Sequence, residues 1–396
     1  MGHDSKFDIY LNSLSPKPKK RISLSDPKIG YLRKTPYGPI WVVDWNYQSG
    51  DRHGSYELAK AGLVDRLIND SLAEFAISDA TILDTETTGL AGGTGTYAFI
   101  IGAGFWCDDK FIVRQYLMRD FNEESAQLSA FAEDFTGSIV TYNGKCFDIP
   151  LLVNRYRIHR QSPPVENVPH LDMLFPSRRI WKRHLGAFKL AEIERQILGH
   201  ARVDDVPSHL IPGIFFDYLQ NRDESLLYPI LNHNRDDILS LYQVASIAAD
   251  LPARLKNTGS NDDDLLLSIA EICFIQRQYE MALEYLHMVN TNFASESAVR
   301  QTARLKAIIY KKLNRWHEAL KAFDSDFAIN PEIYSLVESA KLREHKMKDP
   351  QGALQDVKRA ETLLELEAAL DPKTERLARE FAHRKARLLA KIIRPK

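Results

Sequence analysis

At 396 residues the chain is longer than one hydrophobic core usually supports, so two or three domains are expected. Its apolar fraction of 44%, charged fraction of 27% and formal net charge of −1 are those of an ordinary soluble protein. Whole-chain charge therefore points to no polyanionic partner, and any nucleic-acid surface has to be local.

Cys107, Cys146 and Cys273 are odd in number and far apart, and no C-x-x-C pair offers a zinc or redox site. A reducing, cytoplasmic setting is expected. The stretch from Met1 to Lys20 is polar and runs into the basic residues Lys17, Lys19, Lys20 and Arg21, without the apolar run of a secretion signal. No stretch is long and apolar enough to predict a membrane span.

In chain order, residues 1–75 read as an N-terminal extension. It carries one short strand or hairpin over Ile40, Trp41, Val42 and Val43 and a turn at Asp51 to Gly54. From about Ala80 the pattern alternates. It predicts strands over Thr81–Leu83, Tyr97–Phe105 and Phe111–Leu117, a helix over Glu123–Phe135, a strand over Ser138–Tyr142 and a helix over Ile149–Arg157. Neighbouring strands followed by alternating helix and strand imply an α/β layer, a mixed sheet with flanking helices. Beyond Asp172 the chain turns helical, ending in an amphipathic helix over Leu226–Leu251 that closes a domain of residues 76–255. The segment KNTGSNDDD, Lys256 to Asp264, has no apolar residue and reads as a linker. Residues 265–396 read as helical throughout, with Leu283, Leu320 and Leu354 recurring at steps of 37 and 34 residues. That period is close to the tetratricopeptide one and predicts stacked helix pairs, although an unrelated helical bundle fits the same spacing.

The chemistry begins at Asp84-Thr85-Glu86-Thr87-Thr88-Gly89-Leu90, at the end of an apolar strand. Residues i and i+2 of a strand share a face, so Asp84 and Glu86 present two carboxylates together, a donor pair suited to Mg²⁺ or Mn²⁺. A bare pair of this kind would be two solvated carboxylates; the Thr-Thr-Gly-Leu tail sets it apart. A second acidic position, Asp148, follows the Asn143-Gly144 turn and precedes a helix with Pro150 in its first turn, where an ordinary helix cap would also sit. In Asn232 to Leu241, His233 and Asp237 stand four apart and share a helix face, whereas Asp236 points about 100° away.

The string DTETTGLAGGTGTYAFIIGAG, Asp84 to Gly104, resembles the DEDD exonucleases and, more narrowly, the YprB family of ribonuclease H-like proteins. The segment N-G-x-x-F-D-x-P around Asp148 and the helix bearing Asp237 match the same family pattern. The resemblance extends from Thr35 to Leu251 and, through the repeats, over most of the rest. It implies a ribonuclease H-like fold with a tetratricopeptide-like helical domain. Asp84, Glu86, Asp148 and Asp237 would then be ligands for two divalent metal ions, Mg²⁺ or Mn²⁺, about 4 Å apart, one activating water and the other stabilising the leaving 3′ oxygen. His233 is the expected general base, although histidine here stands at the spacing one branch reserves for tyrosine. Thr87, Thr88, Gly89, Leu90 and Asn143 would line the terminal nucleotide.

The function so implied is a metal-dependent 3′→5′ exonuclease acting on DNA in preference to RNA, serving DNA repair, with a helicase as the expected partner of the repeats. No residue reads a 2′-hydroxyl, so an RNA-processing exonuclease stays open, as does a non-catalytic nucleic-acid-binding scaffold. Two basic clusters are further candidates for a strand groove. One is Arg178, Arg179, Lys182, Arg183 and His184 around Trp181; the other is the C-terminal run Arg376, Arg379, Arg384, Lys385, Arg387, Lys391 and Arg394. A solvated helix face explains the first equally well, and a polar helix capping the repeats is the commoner explanation of the second.

Overall fold

The computed structural model describes residues 30–62, 75–89, 95–203, 205–258, 262–290, 294–368 and 374–393. It divides into two compact units, Met1–Pro252 and Ala253–Lys396.

The first unit is built on a seven-stranded mixed sheet. Its strands are β1 (Tyr31–Thr35), β2 (Gly38–Gln48), β5 (Thr81–Thr87), β6 (Ala98–Cys107), β7 (Lys110–Leu117), β8 (Ile139–Thr141) and β9 (His170–Asp172). They lie in the order β1-β2-β7-β6-β5-β8-β9; β3 (Arg52–His53) and β4 (Tyr56–Glu57) form a separate ribbon. Pairing is antiparallel from β1 to β5 and parallel from β5 through β8 to β9. The apolar run at residues 40–43 is explained by this topology. Ile40 and Val42 pack into one helix layer, while Trp41 and Val43 pack into the other, so every side chain of the run is buried.

One layer holds α1 (Glu124–Asp134) and α2 (Asp148–Ile158), with Phe131, Leu152 and Tyr156 against Leu83, Ile101 and Tyr116. The opposite layer holds α5 (Ile211–Asn221) and α6 (Leu227–Thr258), with Phe215, Ile230 and Leu231 against Phe99, Ile100 and Leu117. Between the layers in sequence come α3 (Leu174–Ile180) and α4 (Leu190–Ile193), the latter running into a wider turn over Glu194–Leu198. The expected mixed sheet with flanking helices is what forms.

Two expectations are corrected. The strand of the N-terminal extension does not stand ahead of the main fold: β2 pairs with β7 along Trp41–Gln48 and completes the sheet. Local periodicity cannot show this, because the partner lies some seventy residues away. The helix expected over Leu226–Leu251 continues to Thr258, through Pro252 and into the first residues of the expected linker, with Leu251 and Leu255 both buried. Apolar spacing outweighs the proline there.

The second unit is helical: α7 (Asp263–Ile275), α8 (Tyr279–Met288), α9 (Glu296–Lys312), α10 (Trp316–Ile329), α11 (Ile333–Leu342), α12 (Pro350–Ala368) and α13 (Thr374–Ile393). Successive helices pack on one another, and Leu283, Leu320 and Leu354, the recurring positions of the sequence, are all buried. No described helix is long and apolar enough to cross a membrane.

Candidate active site

The carboxylates gather where β5 outruns its parallel neighbour. β5 pairs with β8 only at Thr81 and Ile82, so beyond Ile82 that edge is open, and the turn after β8 fills it. Asp172, buried at the end of β9, accepts hydrogen bonds from the backbone N–H of Asn143 (2.7 Å), Lys145 (3.1 Å) and Leu174 (3.1 Å). Asn143 itself takes a left-handed conformation, φ 64°, which asparagine tolerates. This turn delivers Asp148 at the start of α2, where the Thr85 hydroxyl donates to its Oδ1 at 2.5 Å.

On the other face of β5, α6 brings Asp237, His233 and Asn234. Its approach depends on glycine: a Cβ on Gly102, the cross-strand partner of Asp84, would lie 2.2 Å from Asn234 Oδ1, and one on Gly104 would lie 2.5 Å from Ile238. Asn234 is fully buried, and its Nδ2 donates to Asp84 Oδ2 at 2.7 Å. Its Oδ1 accepts from Gln115 Nε2 at 2.8 Å, and Gln115 Oε1 accepts from Trp45 Nε1 at 2.8 Å. A chain of fixed donors thus runs from β2 through β7 to the Asp84 carboxylate and sets the orientation of both amides.

The four predicted acidic residues are close enough to perturb one another. Burial first, then Asp237 and Asp148, hold Asp84 well above the usual carboxylate range. Glu86 is held up in the same way by burial, Asp84, Asp237 and Asp148. Asp148 is pushed up to about 6, mainly by burial, against the Thr85 hydrogen bond. Ligand atoms of Glu86, His233 and Asp237 all lie within 4.8 Å of one another.

Sequence reasoning missed three members of this site. Arg202, in the loop after Leu198, is 8% exposed and lies against Glu194 (Nε to Oε2 at 2.8 Å), Asp237, and Asp205 at 3.4 Å. Asp205 Oδ1 bonds His233 Nδ1 at 2.7 Å, and His233 Nε2 lies 3.4 Å from Asp237 Oδ2. The loop carries no motif, so nothing local could have marked Arg202 or Asp205; Asn234 stood inside the quoted motif without an assigned role.

Other predicted residues play a different part. The Thr87 hydroxyl donates to the Gly89 carbonyl (2.9 Å), and the Thr88 hydroxyl accepts from the Tyr97 N–H (3.0 Å), so both shape the turn leaving β5. Leu90 lies outside the described residues. Trp181 is 2% exposed and belongs to the core, which removes it as a stacking surface for a base. On α13, Arg384, Arg387 and Lys391 all converge on the fully buried Glu344, and Lys385 pairs with Glu361. Those charges serve packing within the unit.

The donor set suits a hard divalent cation: several carboxylates crowd together with one imidazole, and their proton affinities are raised first by burial and then by mutual negative charge that Arg202 offsets only in part. Among known proteins, residues 81–249 match a family described as the RNase_H superfamily. Over 327 residues, 79% of this chain and 78% of the relative, the sequence is 28% identical to "Uncharacterized protein YprB" of Bacillus subtilis (strain 168).

Proposed function

We propose that this chain, which carries a ribonuclease H-superfamily domain over residues 81–249, is a metal-dependent 3′→5′ exonuclease of the DEDD type that acts on DNA and serves repair. The observation that carries the reading is the convergence of Asp84 and Glu86 from β5, Asp148 from the head of α2 and Asp237 from α6, each of the first three held above its ordinary proton affinity. These four residues would hold two divalent ions, Mg²⁺ or Mn²⁺. When bound, such ions would neutralise the carboxylates and polarise the phosphodiester and its attacking water.

The chain's own part is orientation and proton transfer. Asn234 and Thr85 fix the Asp84 and Asp148 carboxylates by donating to one oxygen of each. Asp205 Oδ1 accepts a hydrogen bond from His233 Nδ1–H, which leaves Nε2, on the Asp237 side, as the atom that would accept a proton from water. The turn shaped by Thr87, Thr88 and Gly89, with Asn143 across the open edge of β5, would receive the terminal nucleotide. The preference for DNA, the 3′ polarity and the repair role rest on the resemblance stated above.

The test is digestion of end-labelled single- and double-stranded DNA and RNA with Mg²⁺, Mn²⁺ or EDTA. Release of mononucleotides from the 3′ end of DNA, abolished by EDTA, is expected. Full activity in EDTA, or release from the 5′ end, would overturn the reading; faster digestion of RNA would reassign the substrate.

A further inference from the structure

The unit Ala253–Lys396 contains a cavity of about 690 Å³ between α8, α9 and α10, in the range that holds a drug-sized or short peptide ligand. Its floor is one face of α9, where Thr302, Lys306 and Tyr310 follow one another at helical i, i+4 spacing. Thr302 is 1% exposed, and its hydroxyl has no hydrogen-bond partner among the described residues. It does not make the bond to the carbonyl four residues back that is open to a threonine inside a helix. One turn on, Lys306 is half-buried and has no acidic partner among the described residues. Burial pushes its ammonium below the usual lysine range. Tyr310 is already engaged, with its hydroxyl 3.1 Å from His287 Nε2.

We propose that this cavity is a carboxylate-binding site that takes an acidic side chain of a partner protein segment, with Lys306 Nζ and Thr302 Oγ1 both donating to the one carboxylate. Lys321 on α10 stands at the exposed rim as a second cation. The walls of Val299, Ala322 and Ile329 suit apolar residues on either side of the acid. A nucleic-acid strand is the poorer match. It bears a charge at every nucleotide, whereas the lining pairs two lysines, Lys306 and Lys321, with one acid, Glu318, and several apolar side chains, a balance that suits a single carboxylate. The site is independent of the nuclease reading, because none of its residues belongs to the carboxylate cluster.

The test uses the full chain and the fluorescein-labelled peptide Ala-Leu-Asp-Leu-Ala-amide, read by anisotropy. Controls are the same peptide with asparagine for aspartate and a labelled twelve-nucleotide oligothymidylate. Saturable binding of the aspartate peptide is expected, at least about tenfold tighter than the asparagine one, as for a charge-assisted hydrogen-bonded pair. Lys306→Met should remove that preference, and Thr302→Val should weaken the aspartate peptide by a smaller factor. Thermal melting and far-ultraviolet circular dichroism of both variants should match the unaltered chain, which reports that the helical unit is folded. Equal affinity for the two peptides, no binding of either, or aspartate binding that survives Lys306→Met would overturn the proposal. Oligothymidylate that competes with the peptide in a Lys306-dependent way would overturn it in favour of a phosphate site.

Discussion

At the scale of the residue, the carboxylates and their neighbours differ in what their removal should do. Asp84→Asn, Glu86→Gln, Asp148→Asn and Asp237→Asn each remove charge from a shared cluster, so each is expected to abolish digestion with no additivity in pairs. The same variants should relieve mutual repulsion and leave the fold intact; thermal melting alongside the digestion assay checks both. Asn234→Leu strips the only donor that the described residues give Asp84 Oδ2 and takes from Gln115 Nε2 one of its two acceptors, the Leu231 carbonyl remaining. Losing a hydrogen bond to a charged group costs about 1.5–3 kcal/mol, or about ten- to a hundredfold in turnover if orientation of Asp84 is what it supplies. His233→Ala should lower turnover by at least about 10²-fold, and Asp205→Asn should lower it in the same direction. Manganese titration calorimetry separates the roles: affinity unchanged in His233→Ala fits a base, whereas a tenfold weaker affinity would make His233 a ligand. The acidic residues and His233 could be picked out in the sequence because each sits at a fixed offset within a local element. Arg202 and Asp205 could not, since their partners are reached only through the tertiary fold.

At the scale of the element, the site exists because α6 can lie almost on the sheet. Gly102 and Gly104 give it that freedom, and their spacing of two puts both on the face that α6 covers. The sequence showed the two glycines as part of a family string; their reason, a helix arriving from beyond residue 227, is a long-range contact. Gly102→Ala would drive a methyl group into Asn234 and Ile238, where neither the strand nor the packed helix can give way cheaply. Overpacking of this kind typically costs about 1–3 kcal/mol. A fall in melting temperature together with loss of digestion is expected, and an unchanged protein would show that α6 is not seated as described. The β2 strand illustrates the same limit. Its four consecutive apolar residues marked a short strand or hairpin, but only pairing with β7 reveals that the strand belongs to the main sheet and that Trp45 feeds the donor chain to Asp84.

At the scale of the whole molecule, opposing groups set the response to acid. His53 and His170 are kept neutral chiefly by burial, at about 3 and about 4 respectively, and hydrogen-bond Ser240 and Thr141. Their folded proton affinity lies below the unfolded one, so they stabilise the fold above pH 6.5. That stability is lost as pH falls toward their depressed values, with a slope approaching about 1.4 kcal/mol per pH unit for each. The raised carboxylates of the metal-free site work the other way, so the sign is isolated by comparison: His53→Asn should flatten the fall in urea stability between pH 6.5 and 4.5. An identical slope would mean that His53 is protonated in the folded state. The two units make a separate prediction. Leu251 and Leu255 are buried along a helix that runs to Thr258, past the point at which the chain divides. A cut at Pro252 would therefore break an apolar stripe, whereas a chain ending at Thr258 keeps α6 whole together with both layers that hold the carboxylates. Such a chain is expected to fold, to melt cooperatively and to digest short oligonucleotides at the rate of the full protein, while losing the aspartate-peptide binding assigned to α9. If it is insoluble, or if it folds but cannot cleave, the helical unit is part of the nuclease's own core, and the carboxylate cluster alone does not make the enzyme.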